Sequence, residues 1–292
     1  MGANISMSGT RYHERIDACR RADLAQFVPW RVGNDIVGQV HRDRIALLRD
    51  HAAFTIGDDG VHLVGDDFVS RSAAIAAVID ALHRRGEVRV PTAEMYPVSA
   101  GRGRAPLLQI DRTAVPWFGV RASGVHMNGL VVASGGLRTW IAERSRGKRT
   151  FPGHLDNMVA GGQSIGLDPA ATLTKECAEE AAIPASLAER AAFVGHIDYV
   201  QQDGLSLKVD TLACFDLELP ARFEPAPHDG EVERFVSFSV PELAASLRGD
   251  DLWKPNSALV ALHFLLRIGA LDRELDAAAR WRLWQRLHGQ LA

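Results

Sequence analysis

Residues 161–183 read GGQSIGLDPAATLTKECAEEAAI, a double glycine followed by a short loop and a helical pattern. Asp168 suits the N-cap of that helix and Pro169 suits its first helical position. The glycines before it allow the backbone to pass close to a ligand or to another side chain. The sequence therefore predicts a tight loop that leads into a helix with a well-defined start.

Three glutamates follow along this predicted helix, at Glu176, Glu179 and Glu180. Positions three and four apart are neighbours on a helix surface, so these side chains share one narrow arc. Clustered carboxylates repel one another unless a cation lies among them, and hard divalent metals prefer oxygen ligands. The expected ion is Mg²⁺, with Mn²⁺ as the alternative, bridging to phosphate oxygens. An ordinary solvated helix face is the competing interpretation.

The segment resembles the Nudix box, G-x5-E-x7-R-E-U-x-E-E-x-G-U, in which U is an aliphatic residue. Glu176, Glu179 and Glu180 match its acidic core. The resemblance implies a hydrolase in which these three glutamates hold the metal and in which Glu176 and Glu179 serve catalysis. Gly161 and Gly162 would lie beside the bound ligand.

The segment also departs from the consensus. Lys175 stands where the family has Arg, Ala182 stands where it has Gly, and no Glu fills the early acidic position. Counted from Gly162, the run to Glu176 is one residue shorter than the consensus. Lys175 is expected to position the helix face or to touch phosphate, but more loosely than Arg because it lacks the planar bidentate guanidinium.

Composition excludes several classes of protein. A hydrophobic content of 47% and a charged content of 24% are typical of a soluble globular chain. The net charge of -3 argues against a general nucleic-acid binder. No run of 18 apolar residues occurs, so no membrane span is expected. The three cysteines give no disulfide framework, and with no apolar leader they favour a cytoplasmic location.

The first part of the chain, residues 1–110, is predicted to be a small α+β domain of its own. Helical periodicity at 12–27 is followed by a strand at 35–40. A turn of Gly and Asp residues then indicates a hairpin at 54–64. An amphipathic helix is predicted at 71–85.

The second part, residues 111–292, is predicted to be the Nudix hydrolase domain with C-terminal helices. Its expected strands and flanking helices are consistent with the mixed-sheet α/β/α sandwich that the Nudix resemblance implies. The strands are expected at 125–133, 137–143, 192–200, 205–217 and 231–239, and the helices after the box at 241–247, 253–269 and 271–287.

The resemblance extends beyond the box. The runs at 139–162, 229–235 and 254–265 are similar to one Nudix subgroup, whose members carry an extra N-terminal domain. Relatives in that subgroup are associated with thiamine metabolism, and some are fused to thiamine pyrophosphokinase. The resemblance implies that this chain removes phosphate from a small organic diphosphate, with thiamine or oxothiamine diphosphate as the expected substrate.

Hydrolysis also needs a group that activates water, and in Nudix enzymes this base varies. Glu231 and Glu233 are the candidates, because one strand residue separates them and they are expected to share a face of the strand. An ordinary pair of edge-strand carboxylates is the competing interpretation.

Two other functions remain open from the sequence. One is an isomerase of isopentenyl-diphosphate type, which needs a dedicated cysteine, and Cys177 is predicted on the apolar side of the helix. The other is a catalytically silent module that binds a diphosphate. The expected partner is a small-molecule diphosphate, without nucleic acid or membrane. Trp281 and Trp284 are expected to be packing anchors, and a homodimer is left open.

Overall fold

The computed structural model describes residues 2–250 and 252–289, with the side chains of residues 2–9 left out. The helices are α1 (Gly2–Asp17), α2 (Ile45–Arg49), α3 (Phe68–Arg84), α4 (Pro169–Ala181), α5 (Ala185–Ala188), α6 (Val240–Arg248), α7 (Pro255–Arg267) and α8 (Ala277–His288). The strands are β1 (Phe27–Val32), β2 (Asp35–His41), β3 (Phe54–Gly57), β4 (Gly60–Leu63), β5 (Met95–Val98), β6 (Leu108–Asp111), β7 (Arg121–Ala133), β8 (Gly136–Arg144), β9 (Leu155–Asn157), β10 (Val159–Gly162), β11 (Ala192–Asp203), β12 (Ser206–Glu218) and β13 (Val232–Ser239).

The N-terminal unit, defined by the apolar core that extends from Trp30 to Val120, is built on a four-stranded sheet in the order β2-β1-β4-β3. α3 begins at Phe68 because Asp67 and Ser70 form a capping box, in which each side chain bonds the other residue's backbone N–H. The apolar side of α3 packs into a core that includes Trp30 and Phe118, both fully buried. The unit is α+β, as predicted.

Most of the predicted N-terminal elements are confirmed. The hairpin at 54–64 appears as β3 and β4, and the helix at 71–85 appears as α3. The helix predicted at 12–27 is wrong in extent, because α1 ends at Asp17 and residues 27–32 form strand β1. After Asp17 the chain turns, Asp23 caps a separate 3-10 helix at Leu24–Gln26, and Phe27 begins strand β1. The pairing of β1 with β2 and β4 is not visible in a short window of sequence.

The second unit is a seven-stranded mixed sheet. Its main path runs β11-β12-β7-β8-β13, with β10 beside β7 and β9 beside β8. β12 and β7 are parallel, whereas the other pairs are antiparallel. α4 packs on one face through Leu173 and Cys177, and α6, α7 and α8 cover the opposite face. The predicted α/β/α sandwich is confirmed.

The first helix belongs to the core of the second unit. Tyr12, Ile16 and Cys19 are fully buried in the apolar cluster formed by α6, α7 and α8. The Arg15 guanidinium also donates to the backbone carbonyl of Leu247, at 3.0 Å. The division of the chain at residue 110 stays a prediction. α1 precedes residue 110 in sequence but packs in the core of the second unit.

The N-terminal unit also contacts the edge of the large sheet. The backbone N–H of Ile165 donates to the carbonyl of Met95 on β5, at 2.8 Å. The backbone N–H of Leu207 donates to the carbonyl of Pro116, also at 2.8 Å. These bonds fix the N-terminal unit beside the loop between β10 and α4. Within the described residues, no helix combines the length and apolarity that a membrane crossing needs.

Candidate active site

The start of α4 follows the local sequence. The Asp168 carboxylate accepts a hydrogen bond from the backbone N–H of Ala171 at 2.8 Å, and Pro169 occupies the first helical position. The helix ends where Ala182 adopts a left-handed conformation, with φ 53° and ψ 33°. Both ends of the helix that carries the glutamates are therefore fixed by short-range chemistry.

Gly161 lies directly opposite the Glu176 carboxyl group. A Cβ added to Gly161 would lie 2.1 Å from Cδ of Glu176, so the carboxylate occupies the space that any other residue would need. Counted from Gly161, Glu176 lies at the consensus spacing of the box, and Leu167 falls at the early acidic position. The prediction of a shortened loop, which was counted from Gly162, is therefore wrong, because Gly161 is the glycine that faces α4.

Lys175 joins the two outer glutamates. Its Nζ lies 3.2 Å from Oε1 of Glu176 and 2.6 Å from Oε2 of Glu179. Burial raises the pKa of Glu176, and the neighbouring Lys175 charge only partly offsets that effect. Lys175 thus places an ammonium group between two carboxylates. Its role in positioning the helix face stays a prediction.

Glu180 has a different environment from its two neighbours. It is only 6% exposed, and its Oε2 accepts the backbone N–H of Ala160 at 2.8 Å. Burial raises the pKa of Glu180 well above its usual range. Among the described residues, no three or more carboxylate, imidazole or thiol groups converge closely enough to hold a metal ion. The set of Glu176, Glu179 and Glu180 as metal ligands stays a prediction.

The residues nevertheless fit a divalent cation. Glu176 and Glu179 both turn toward one positive charge, and the missing side chain of Gly161 leaves room for the Glu176 carboxylate. Their donor atoms are carboxylate oxygens, which Mg²⁺ and Mn²⁺ prefer. A divalent ion bound there would be held by carboxylate oxygens of Glu176 and Glu179.

The helix face opens into a cleft of about 420 Å³ between the large sheet and the N-terminal unit. Lys175, Glu176 and Glu179 line it together with Gly161 and Gly162. The positively charged side chains in its wall come from both units. They are Arg112, Arg144, Lys148, Lys175, Lys208 and Lys254. This charge complements a polyanionic ligand such as a diphosphate.

The structure separates the two candidate bases. Glu231 lines the cleft, where its Oε2 lies 2.5 Å from Nζ of Lys148. Burial raises the pKa of Glu231, but the hydrogen bond and charge of Lys148 outweigh it, and the net shift is downward. Glu233 is exposed and does not line the cleft. The expected shared face is not formed, because the register shifts between Val232 and Arg234.

Asp156 is a buried residue that the sequence analysis did not single out. Its carboxylate accepts from Arg144 and Lys254, each at 2.9 Å, and also from the Ser257 hydroxyl. Burial raises the pKa of Asp156, but Lys254 and the other neighbouring cations hold it well below its usual range. Two cations of the cleft are thus oriented by one carboxylate. Only the pairing of β9 with the start of α7 brings these distant runs together.

Cys177 does not reach the cleft. It is fully buried, and its Sγ lies 3.8 Å from Sδ of Met127 in the core beneath α4. Burial raises the pKa of its thiol to about 12. The cysteine that the isomerase interpretation requires is therefore not supplied by this residue.

Comparisons with known proteins agree with this geometry. Residues 11–122 match a family model described as a domain of unknown function, DUF4743. A protein of Arabidopsis thaliana named Nudix hydrolase 20, chloroplastic, is 36% identical over 295 residues, which covers 96% of this chain and 78% of that protein. Nudix hydrolase 24, chloroplastic, of the same plant is 36% identical over 272 residues, covering 91% of this chain and 74% of that protein.

A solved structure from Deinococcus radiodurans is 20% identical, with a TM-score of 0.44, and covers 58% of this chain and 98% of its own. The assignment rests on the two plant relatives, which span both units of the chain. The chain belongs to the Nudix hydrolase family, whose members are pyrophosphohydrolases that generally use divalent metal ions.

Proposed function

We propose that the chain is a Mg²⁺-dependent hydrolase of small organic diphosphates, and that it converts thiamine or oxothiamine diphosphate to the monophosphate. The observation that supports the reaction class is the cleft itself, which combines the carboxylates of Glu176 and Glu179 with six cationic side chains, although six carboxylates in all also line it. The thiamine moiety is supported by the sequence resemblance to the subgroup with an extra N-terminal domain.

The size of the cleft favours a single small molecule. About 420 Å³ lies within the range of pockets that enclose a cofactor-sized ligand, roughly 300–1,000 Å³. The N-terminal unit contributes Val115 and Pro116 to one wall, which gives an organic group an apolar surface to contact. A polymer would need a continuous groove rather than a bounded cleft.

Each charged residue then has a defined task. Glu176 and Glu179 would hold the metal ion, with Mn²⁺ as the alternative to Mg²⁺. When bound, that ion supplies charge neutralisation at the phosphate oxygens and activation of water. Lys175 keeps the two carboxylates together and adds positive charge to the cleft. Arg144 and Lys254, both held by Asp156, present fixed cations to the diphosphate.

Glu231 is the preferred candidate for the base that receives the proton from water. It lines the cleft, whereas Glu233 does not. Lys148 keeps its carboxylate ionised at neutral pH, because the lowered pKa of Glu231 leaves it without a proton there. An ionised carboxylate within a cleft can accept a proton as phosphorus is attacked.

The proposal is tested by incubating the protein with Mg²⁺ and a panel of diphosphates, including thiamine and oxothiamine diphosphate, and measuring monophosphate release. Glu179→Gln is expected to lower kcat by about two orders of magnitude or more, because it removes a charged oxygen ligand. The circular dichroism and Tm of the variant should stay close to those of the wild type.

Glu189→Gln is the matched control, since Glu189 is exposed on the same unit and lies outside the cleft. Wild-type activity in Glu179→Gln would contradict the metal-site assignment. Tight binding of diphosphates without turnover of any of them would favour the silent binding module. Turnover of other diphosphates but not of thiamine compounds would support the proposed reaction and exclude the proposed substrate.

The cellular setting is part of the same proposal. We place the protein in the cytoplasm, although both plant relatives are named as chloroplastic.

The homodimer stays a prediction, as does a small-molecule diphosphate as the partner. Trp284 packs against His263 and His288, with ring centroids 5.5 Å and 4.2 Å apart, and is an internal anchor. Trp281 is 59% exposed, so the same prediction is wrong for that residue.

A further inference from the structure

Tyr96 of the N-terminal unit lies over the cleft face of the large sheet. A Cβ added to Gly162 would lie 1.6 Å from the Tyr96 hydroxyl oxygen, so the phenol fills the space above that glycine. Gly162 pairs with Gly124, which pairs with Leu212, and paired residues of neighbouring strands share a face. All of these residues line the cleft, so the Tyr96 hydroxyl belongs to its wall.

The Tyr96 hydroxyl has no hydrogen-bond partner among the described residues, although the residue is only 6% exposed. Burial of the ring raises the pKa of the Tyr96 phenol, so it keeps its proton at neutral pH and is available as a donor. Because Tyr96 lines the cleft, a ligand there can accept that hydrogen bond.

Arg112 stands beside it and is oriented by Glu94. One guanidinium nitrogen of Arg112 donates to Oε2 of Glu94 at 2.7 Å, and the other carboxylate oxygen accepts from the Ser164 hydroxyl at 3.3 Å. Glu94 thereby ties Arg112 to the loop that precedes α4. Within the described part of the chain, the remaining guanidinium nitrogens of Arg112 have no hydrogen-bond partner.

Tyr96 and Arg112 line the same cleft as Glu176, Glu179 and Glu231. A guanidinium supplies only hydrogen-bond donors, and a neutral phenol can donate its O–H. Phosphate oxygens accept such bonds, and guanidinium binds them in a planar, bidentate manner.

We propose that Tyr96 and Arg112 form a phosphate-binding subsite through which the N-terminal unit holds the non-bridging oxygens of the diphosphate. The subsite rests on the proposed function for its role in turnover, but its ligand chemistry is that of any diphosphate anion. The N-terminal unit then contributes directly to substrate binding, rather than only covering the sheet.

The test uses the full chain, with KM and kcat for a hydrolysed diphosphate and calorimetric binding of methylenediphosphonate, a non-hydrolysable diphosphate. Arg112→Gln is expected to raise KM and the dissociation constant of methylenediphosphonate about 10- to 100-fold, as is usual for a charge-assisted contact. Arg112→Lys should recover part of the loss, because it keeps the charge but not the planar donors.

Tyr96→Phe provides an independent measurement. It should raise KM and the methylenediphosphonate dissociation constant about fivefold, consistent with the loss of one hydrogen bond. Its Tm should stay close to that of the wild type, because the ring still packs over Gly162. A purely structural tyrosine would instead leave both binding values unchanged.

Arg102→Gln is the matched control. Arg102 and Arg112 have nearly equal side-chain exposure, 51% and 52%, and each pairs with one carboxylate. Arg102 does not line the cleft, so its variant should bind and hydrolyse as the wild type does. Unchanged binding in both Tyr96→Phe and Arg112→Gln would overturn the subsite while leaving the hydrolase intact. Absence of turnover in the wild type would overturn the proposed function, and methylenediphosphonate binding would still decide the subsite.

Discussion

Ala182 departs from the family pattern, and its backbone conformation is strained as a result. It closes α4 with φ 53°, where the Nudix box has Gly. A left-handed backbone conformation costs a residue with a Cβ roughly 1–2 kcal/mol relative to the right-handed one. The structure therefore keeps the family's helix ending while the sequence lacks the residue that adopts it without strain.

Ala182→Gly is expected to raise the free energy of unfolding by about 1 kcal/mol, less the entropy that Gly adds to the unfolded chain. Urea denaturation would measure the change. Ala181→Gly is the control one residue earlier, since it lies within α4 and is fully buried, and it should destabilise the protein. A loss of stability in Ala182→Gly would show that the helix ending is not strained.

At the residue scale, the sequence predicts part of the site. Glu176 and Glu179 follow from helical spacing, because neighbours on one helix need no tertiary information. Tyr96 and Asp156 could not be found in this way, since their roles depend on contacts across tens of residues. Gly161 could also be identified from the sequence, because the box can be counted from Gly161 or from Gly162. The structure selects Gly161, since Glu176 lies against it.

At the scale of elements, the packing of α7 on α8 contains a buried imidazole. His263 is 1% exposed, and its ring lies 4.9 Å from that of His288. Burial lowers the pKa of His263 to about 3, with Arg267 and His288 adding to the shift. The side chain is thus neutral in the folded protein at every pH at which the protein is expected to work.

Stability should therefore fall as pH falls below about 6.5, the ordinary histidine value, because the unfolded chain then binds a proton that folded His263 does not. The loss is at most about 1.4 kcal/mol per pH unit for this group. His263→Phe keeps a ring against Trp284 and should weaken the dependence, as measured by urea unfolding at about pH 7 and about pH 5.

His228→Phe serves as the comparison, because His228 is exposed and should leave the pH dependence of unfolding unchanged. Equal slopes for the wild type and His263→Phe would mean that the imidazole is hydrated or already protonated in the folded state. The α7–α8 contact would then not respond to pH through this residue.

Elements of the second unit were largely predictable from the sequence. The strand predicted at 192–200 appears as β11, which continues to Asp203, and the strand predicted at 205–217 appears as β12, shifted by one residue. Alternating apolar residues and the Asp203-Gly204 turn mark them locally. Strand β1 was missed because its pattern is short and its partners are distant in sequence.

At the scale of the whole molecule, α1 packs against α6, α7 and α8, which are distant from it in sequence. Ile16 is fully buried among residues of α6, α7 and α8. Ile16→Ala is expected to lower the free energy of unfolding by about 2–5 kcal/mol, the usual cost of such a cavity. Calorimetry should show the loss in the transition of the large sheet, although the residue precedes the N-terminal unit.

Val69→Ala is the control, because Val69 is 73% exposed on α3 and its truncation removes little buried surface. It should change the free energy of unfolding by no more than about 0.5 kcal/mol. If Ile16→Ala were equally mild, α1 would be an accessory helix rather than part of the core.

The arrangement of the two units could not be read from the sequence. Composition and periodicity locate elements within each unit, but the cleft arises from bonds such as that between Ile165 and Met95. The position of Arg112 in the wall of the cleft depends on this docking. Local patterns carry no information on such contacts, because they are set by the fit of two finished surfaces.

The same helix α1 has a consequence for synthesis of the protein. Its buried residues Tyr12 and Ile16 are synthesised long before their partners on α8, which come more than 260 residues later in the chain. At about 5–20 residues per second, the apolar side of α1 waits on the order of tens of seconds for those partners. Throughout that interval it is a nascent segment suited to chaperone binding, and the large domain can close only after translation has passed α8.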